Sequence, residues 1–194
     1  MRLFVALDLP HAMRTRLSFL GGGLPGVRWV APENFHITLR FIGELPGWRA
    51  EEVDAALAGL RAPGFGLQLA GVGTAEKAGR VTALWVGVQR NPALEHLQSK
   101  IDTVLGRAGV KRERRRFVPH VTLARLGEGI PAAKVAAWVQ AHNLFRSEPV
   151  AVEHFTLFSS LLGKEQAAYV PEVDYPLSPP TVDRTAPEAG VSLT

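Results

Sequence analysis

Two tetrapeptides, His36-Ile37-Thr38-Leu39 and His120-Val121-Thr122-Leu123, each set an imidazole two residues before a hydroxyl, and the two histidines are 84 residues apart in a chain of 194. On an extended strand, residues two apart share a face. His36 and Thr38 therefore point one way while Ile37, Leu39 and Phe41 point into the core, and His120 and Thr122 do the same opposite Val121 and Leu123. Two imidazoles lining one cleft suit concerted acid-base work, because a pKa ordinarily near 6.5 lets one ring start neutral and the other protonated. The two hydroxyls can donate hydrogen bonds to non-bridging phosphate oxygens, where negative charge must be stabilised. Phosphodiester chemistry needs these parts. The competing reading is scaffold inherited through duplication, with both pairs at ordinary strand positions. Against it, His and Thr are costly among such apolar neighbours unless their polar atoms find partners, and a ligand-lined cleft provides them.

The remaining candidates are fewer. The chain has no cysteine, which removes disulfides, thiolate zinc sites and cysteine nucleophiles. His11, His96 and His142 fall at a helix start or within helices, and none repeats at a metal-ligand spacing. His154-Phe155-Thr156-Leu157 is a third copy of the tetrapeptide, but its counterpart in the first half, near Ala70–Gly73, has no histidine. The duplication thus singles out His36 and His120. Twenty-two Lys and Arg against eighteen Asp and Glu give a net charge of +4, a mild excess that favours an anionic partner. Five of the cations crowd into Lys111-Arg112-Glu113-Arg114-Arg115-Arg116, just before Phe117-Val118-Pro119-His120. This run is either a solvated loop or a field that a phosphate-bearing ligand meets on its way to His120.

Patterning supplies the elements that must hold these residues. Leu3–Leu9 is a short apolar strand ended by Pro10, His11–Leu20 a helix closed by three glycines, and Trp48–Leu60 a helix with Val53, Leu57 and Leu60 on one face. A single strand is expected over Gly64–Gly73. The second half repeats the order: strand Ala83–Val88; helix Pro92–Leu105 with Leu94, Leu97, Ile101 and Leu105 at helical spacing; strand Phe117–Leu126; helix Pro131–His142; and strand Pro149–Ser159. The near-constant offset between halves predicts two homologous lobes. The expected fold is α/β in the α+β sense: a duplicated, bilobal domain over 1–177, with two small antiparallel-rich sheets facing across a central cleft and helices on the outer faces. The N-terminal strand of each half is placed to pair across the lobes. Residues 178–194, rich in Pro, Ser, Thr and small residues, are expected to be a disordered tail. No apolar run is long enough to cross a bilayer and no cleavable leader is evident, so the expected location is cytoplasmic.

The two His-x-Thr-Leu motifs, with the opening Arg2–Pro10 (RLFVALDLP) and the segment Arg115–Arg125 (RRFVPHVTLAR), resemble the two-histidine phosphoesterase superfamily, specifically its RNA 2',3'-cyclic phosphodiesterases, also called 2'-5' RNA ligases. The resemblance runs from about Arg2 to Leu177. It implies a bilobal fold with a central cleft, no metal or other cofactor, and hydrolysis of an RNA 2',3'-cyclic phosphate end to a 2'-phosphate, with 2'-5' ligation from the same site. It also implies that His36 and His120 are the acid-base pair and that Thr38 and Thr122 bind phosphate. Arg125, five places after the second histidine, fits a further phosphate ligand. Strict alternation would turn it to the opposite face, and a strand end or bulge near Ala124 would bring it round. The family's late basic segment corresponds to Gly163-Lys164-Glu165-Gln166, where its Arg is missing. Phe4 and Trp85 are either core or platforms for a base, and Arg114, Arg115 and Arg116 are candidates for the RNA backbone. The expected partner is RNA bearing the cyclic end, tRNA fragments among the options, and the expected state is a monomer. The alternatives are a superfamily phosphodiesterase acting on a small cyclic nucleotide or ADP-ribose cyclic phosphate, and a module that binds RNA ends without turnover.

Overall fold

The computed structural model describes residues 1–162 and 167–179. The expectations for Gly163–Gln166 and for the tail from Pro180 onward lie outside the described residues. Ser178, assigned to the tail, is instead tied down: its N–H donates to Ala62 O at 3.0 Å, and its carbonyl accepts the N–H of Gly64 at 2.7 Å.

The elements run β1 (Arg2–Asp8), α1 (His11–Ser18), β2 (Val27–Trp29), a 3₁₀ turn (Pro32–Asn34), β3 (His36–Glu44), α2 (Gly47–Ala58), β4 (Phe65–Leu67) and β5 (Leu69–Lys77). They continue β6 (Arg80–Val88), α3 (Pro92–Arg107), β7 (His120–Leu126), α4 (Ala132–His142), β8 (Val150–Val152), β9 (His154–Leu162) and β10 (Ala167–Pro176). The class is α+β. One antiparallel sheet has the order β10-β9-β1-β3-β7-β6-β5 with β2 also on β7, and β4 and β8 form a second. Each half's first strand lies between a strand of its own half and one of the other: β1 between β3 and β9, β6 between β7 and β5. The expected pairing across the lobes is realised in this exchange. β3 and β7 are joined directly, through one antiparallel pair, Ile37 with Val121.

The helices bury one face of the sheet. Met13 and Leu17, Val53 and Leu57, Val135 and Trp138, and the predicted α3 stripe Leu94, Leu97, Ile101 and Leu105 all enter one core with Ile37, Leu39, Val121 and Leu123. Asn91 caps α3, accepting the Leu94 N–H at 3.1 Å, with Pro92 opening the helix. A second, smaller cluster of Phe4, Ala6 and Phe158, with Tyr169 against it, forms apart from that core. Since alternate residues of β1 divide between the two clusters, the second lies on the opposite sheet face.

Two expectations are revised. The strand expected over Gly64–Gly73 is two strands, because Phe65–Leu67 pairs with β8 while Leu69 onward pairs with β6. β10 was not anticipated. Its Pro171 and Pro176 interrupt any strand pattern, and they are tolerated because β10 is an edge strand.

Candidate active site

β3 and β7 share an identical burial rhythm over the seven residues that start at each histidine. Around the pair Ile37–Val121, both fully buried, antiparallel register sets His36 opposite Thr122 and Thr38 opposite His120. All four share the face turned away from the helices. The histidines are thus diagonal neighbours, and diagonal positions in such a pair stand roughly 7–8 Å apart. The motif residues expected in one site are brought together.

Both imidazoles are oriented the same way. His36 Nδ1–H donates to Asn34 O and His120 Nδ1–H to Val118 O, each at 2.7 Å. A carbonyl only accepts, so Nδ1 carries the proton and Nε2 is left for chemistry. His36 Nε2 meets Thr38 Oγ1 at 3.1 Å. The surroundings differ. Phe4 lies 5.1 Å from the His36 ring, and Tyr169 meets it edge-on at 5.0 Å, whereas His120 has Trp85 at 5.8 Å. Burial pushes the His36 pKa below its ordinary 6.5; the Asn34 hydrogen bond and Asp8 oppose this, while the positive charges of His120 and Arg125 reinforce it. Asp8, the register partner of His36 on β1, is itself held by the Leu9 N–H at 2.9 Å and by Arg14 at 3.0 Å.

A bulge in each strand decides the next positions. The pairing of β1 with β3 skips Leu39, and that of β6 with β7 skips Leu123. Leu39 with Arg40, and Leu123 with Ala124, are consequently buried in succession. The fifth residue after each histidine then swings out to the histidine face. Arg125 arrives there, as the bulge expected near Ala124 requires. Its counterpart is Phe41, which strict alternation had assigned to the core and which is 58% exposed.

The base-stacking candidates separate. Phe4 is 4% exposed, stacked on Phe158 at 5.3 Å and 12° and edged by Tyr169, so no face of it is open to a base. Trp85 is half-buried on the His120 side, its indole lying across Gly73. Arg114, Arg115 and Arg116 are exposed in the stretch leading to β7. The third tetrapeptide is structural at its threonine: Thr156 is buried and donates to Asp174 Oδ1 at 2.6 Å, while His154 is exposed at the start of β9. Sequence reasoning missed Phe41, Tyr169 and Asp8. For Asp8 the available signal was its place ending the first strand; β10 carried no pattern that would reveal Tyr169. Among the described residues, no three His, Cys, Asp or Glu side chains gather as a metal-holding group, and no helix is long and apolar enough to cross a membrane.

The family model of the 2'-5' RNA ligase superfamily matches residues 25–164. The chain belongs to this superfamily. It is 30% identical over 177 residues to the Escherichia coli RNA 2',3'-cyclic phosphodiesterase, covering 88% of this chain and 93% of that one. The Archaeoglobus fulgidus protein of the same name is 29% identical over 172 residues, covering 87% and 96%, and the Aeropyrum pernix one 39% over 114 residues, covering 58% and 64%. Among solved structures, a phosphoesterase superposes with a TM-score of 0.75 at 26% identity, covering 91% of this chain and 98% of that one. E. coli LigT complexed with 3'-AMP does so with 0.74 at 27%, covering 91% and 97%.

Proposed function

We propose that this chain hydrolyses the 2',3'-cyclic phosphate at an RNA 3' end to a 2'-phosphate, with His36 and His120 as the acid-base pair. The observation that carries the reading is the diagonal arrangement of two Nδ1-pinned imidazoles, with a threonine at each remaining corner. A phosphorus atom held above that quadrilateral has one Nε2 on either side. A water oxygen attacks in line with the P–O3' bond and gives its proton to the neutral imidazole. As P–O3' breaks, the other imidazolium protonates O3', leaving a 2'-phosphomonoester, a free 3'-hydroxyl and the two rings with exchanged protonation. Thr38, Thr122 and Arg125 hold the anionic non-bridging oxygens, where charge concentrates. With an RNA 5'-hydroxyl in place of water, the same displacement forms a 2'-5' linkage. The outward-facing Phe41, opposite Trp85, offers the terminal base an aromatic surface.

The relatives named RNA 2',3'-cyclic phosphodiesterase support this substrate class. Purified protein is incubated with an oligonucleotide ending in a 2',3'-cyclic phosphate, with and without EDTA. The expected product gains one water in mass and becomes sensitive to a phosphomonoesterase, at equal rates in both arms, because proton transfer between imidazoles needs no Lewis acid. Tight end binding without turnover would favour a binding module instead, and turnover lost to EDTA and restored by a divalent ion would overturn the mechanism.

A further inference from the structure

Counted back from its histidine, each half carries a segment at the edge of its catalytic strand. Before His36 that segment is β2, which closes on the other lobe: Val27, Arg28 and Trp29 pair with Leu126, Arg125 and Ala124, and Val30 N–H donates to Leu123 O at 2.8 Å. The segment at the same spacing before His120 is Lys111–Arg114, the start of the basic run. It has no strand pairing with β3.

Side chains take the place of that pairing. Gln98 Nε2 reaches Leu39 O at 3.5 Å, where the mirrored arrangement would put the N–H of Arg114. Arg40, which stands where the second half has Ala124, is buried. It donates from Nη2 to Lys111 O at 2.5 Å and from Nη1 to Phe41 O at 3.3 Å, and its Nε faces Asp102 Oδ1 at 2.5 Å. Among the described residues, neither Arg40 Nε nor Asp102 Oδ1 has another polar partner. A buried guanidinium in place of an alanine methyl does not by itself favour stability, so a role in placement is the stronger account of it. One fork joins the catalytic strand, α3 and the basic run. The run's own N–H groups stay out of the sheet, with those of Arg114 and Arg115 turned to the Glu113 carboxylate at 3.0 and 3.2 Å. Among the described residues, none of its five exposed cations has a carboxylate within ion-pair distance.

We propose that Arg40, clamped by Asp102, is a positioning residue that seats the 111–116 run as an RNA-binding arm beside Phe41. There the arm meets phosphates upstream of the reacting one. This rests on the RNA reading above and adds length to it: the preferred substrate is a 3' end of several nucleotides rather than a mononucleotide.

The test compares cytidine 2',3'-cyclic monophosphate with a hexanucleotide ending in the same group. It uses the parent, the Arg40→Met/Asp102→Leu double variant, and an Arg114→Ala/Arg115→Ala/Arg116→Ala reference. The double variant removes both charges together and leaves neither orphaned, so it is expected to melt like the parent. Its KM for the hexamer should rise at least about tenfold while mononucleotide kcat/KM stays within about threefold. Its plot of log affinity against log salt should flatten to that of the reference, by about 0.7 for each phosphate no longer neutralised. Hexamer binding is read by anisotropy on the 2'-phosphate product as well, so the salt slope is obtained even if turnover is absent, an outcome that would count against the activity alone. A parental slope and hexamer preference in the double variant, or equal losses on both substrates, would overturn the proposal.

Discussion

An imidazole whose Nδ1 is tied to a main-chain carbonyl has a single nitrogen left to exchange protons, and His36 and His120 are tied alike. Replacing either with Ala is expected to lower kcat by about 10²- to 10⁴-fold with the fold retained. The double variant should lose less than the product of the two factors, since the second group has little left to assist once concerted transfer is gone. His154→Ala is the control and should stay within about threefold of the parent; if it proved as damaging as His120→Ala at unchanged melting, the pair would be misassigned. Acidity tests the same site from another side. Burial holds His36 below 6.5, so as pH falls from 6.5 towards the folded-state value the unfolded chain binds more protons and stability drops. In urea titrations at a series of pH values, the parent should therefore lose more stability over this window than His36→Gln; a parent-to-variant gap that is constant with pH would sink the assignment. The motif residues were legible because alternation by two holds from each histidine to its threonine. It fails two residues later, at Arg40 and Ala124, which is why Phe41 was misplaced and Arg125 needed a bulge.

At the scale of elements, the bulges at Leu39 and Leu123 fix which side chains reach the site, and Trp85 depends on a further detail of its neighbour strand. A methyl added at Gly73 would collide with the Trp85 indole, and one at Gly87 would stand 2.9 Å from Ala70 O. Gly73→Ala is expected to cost about 1–3 kcal/mol, as overpacking does, or to push the indole off the sheet. Unfolding midpoints together with Trp emission decide this; a variant with unchanged midpoint and emission would show that the ring does not rest there. The α3 stripe was readable because helical spacing is local. The break near Gln68 was not, because β4 takes its partner, β8, from the far half of the chain, while β5 turns straight back on the adjacent β6. β10 escaped notice because prolines suit an edge strand while erasing its pattern.

For the whole molecule, the exchanged strands tie the two halves into one unit, since β9 completes the sheet of the first and β5 that of the second. Unfolding followed by Trp fluorescence and by far-ultraviolet circular dichroism should give coincident transitions, and neither half expressed alone should fold. Separate transitions would show the lobes to be autonomous. Duplication was legible from the repeat offset, but which half donates which strand was not, because an offset carries no information on pairing partners. The same duplication sets the site on the axis relating the halves, at Ile37 and Val121. In the displacement proposed above, the phosphorus at mid-reaction is a trigonal bipyramid. Entering and leaving oxygens take its two poles, two anionic oxygens share its equator with O2', and a half-turn about the P–O2' direction exchanges each pair. A half-turn about the site's axis likewise exchanges the two imidazoles and the two hydroxyls. The cyclic ester has a local twofold that exchanges O2' with O3', but neither it nor the ring-opened product carries an entering and a leaving oxygen to be exchanged, so the arrangement matches the fleeting species in that pairing and serves attack and expulsion with the same groups in opposite roles.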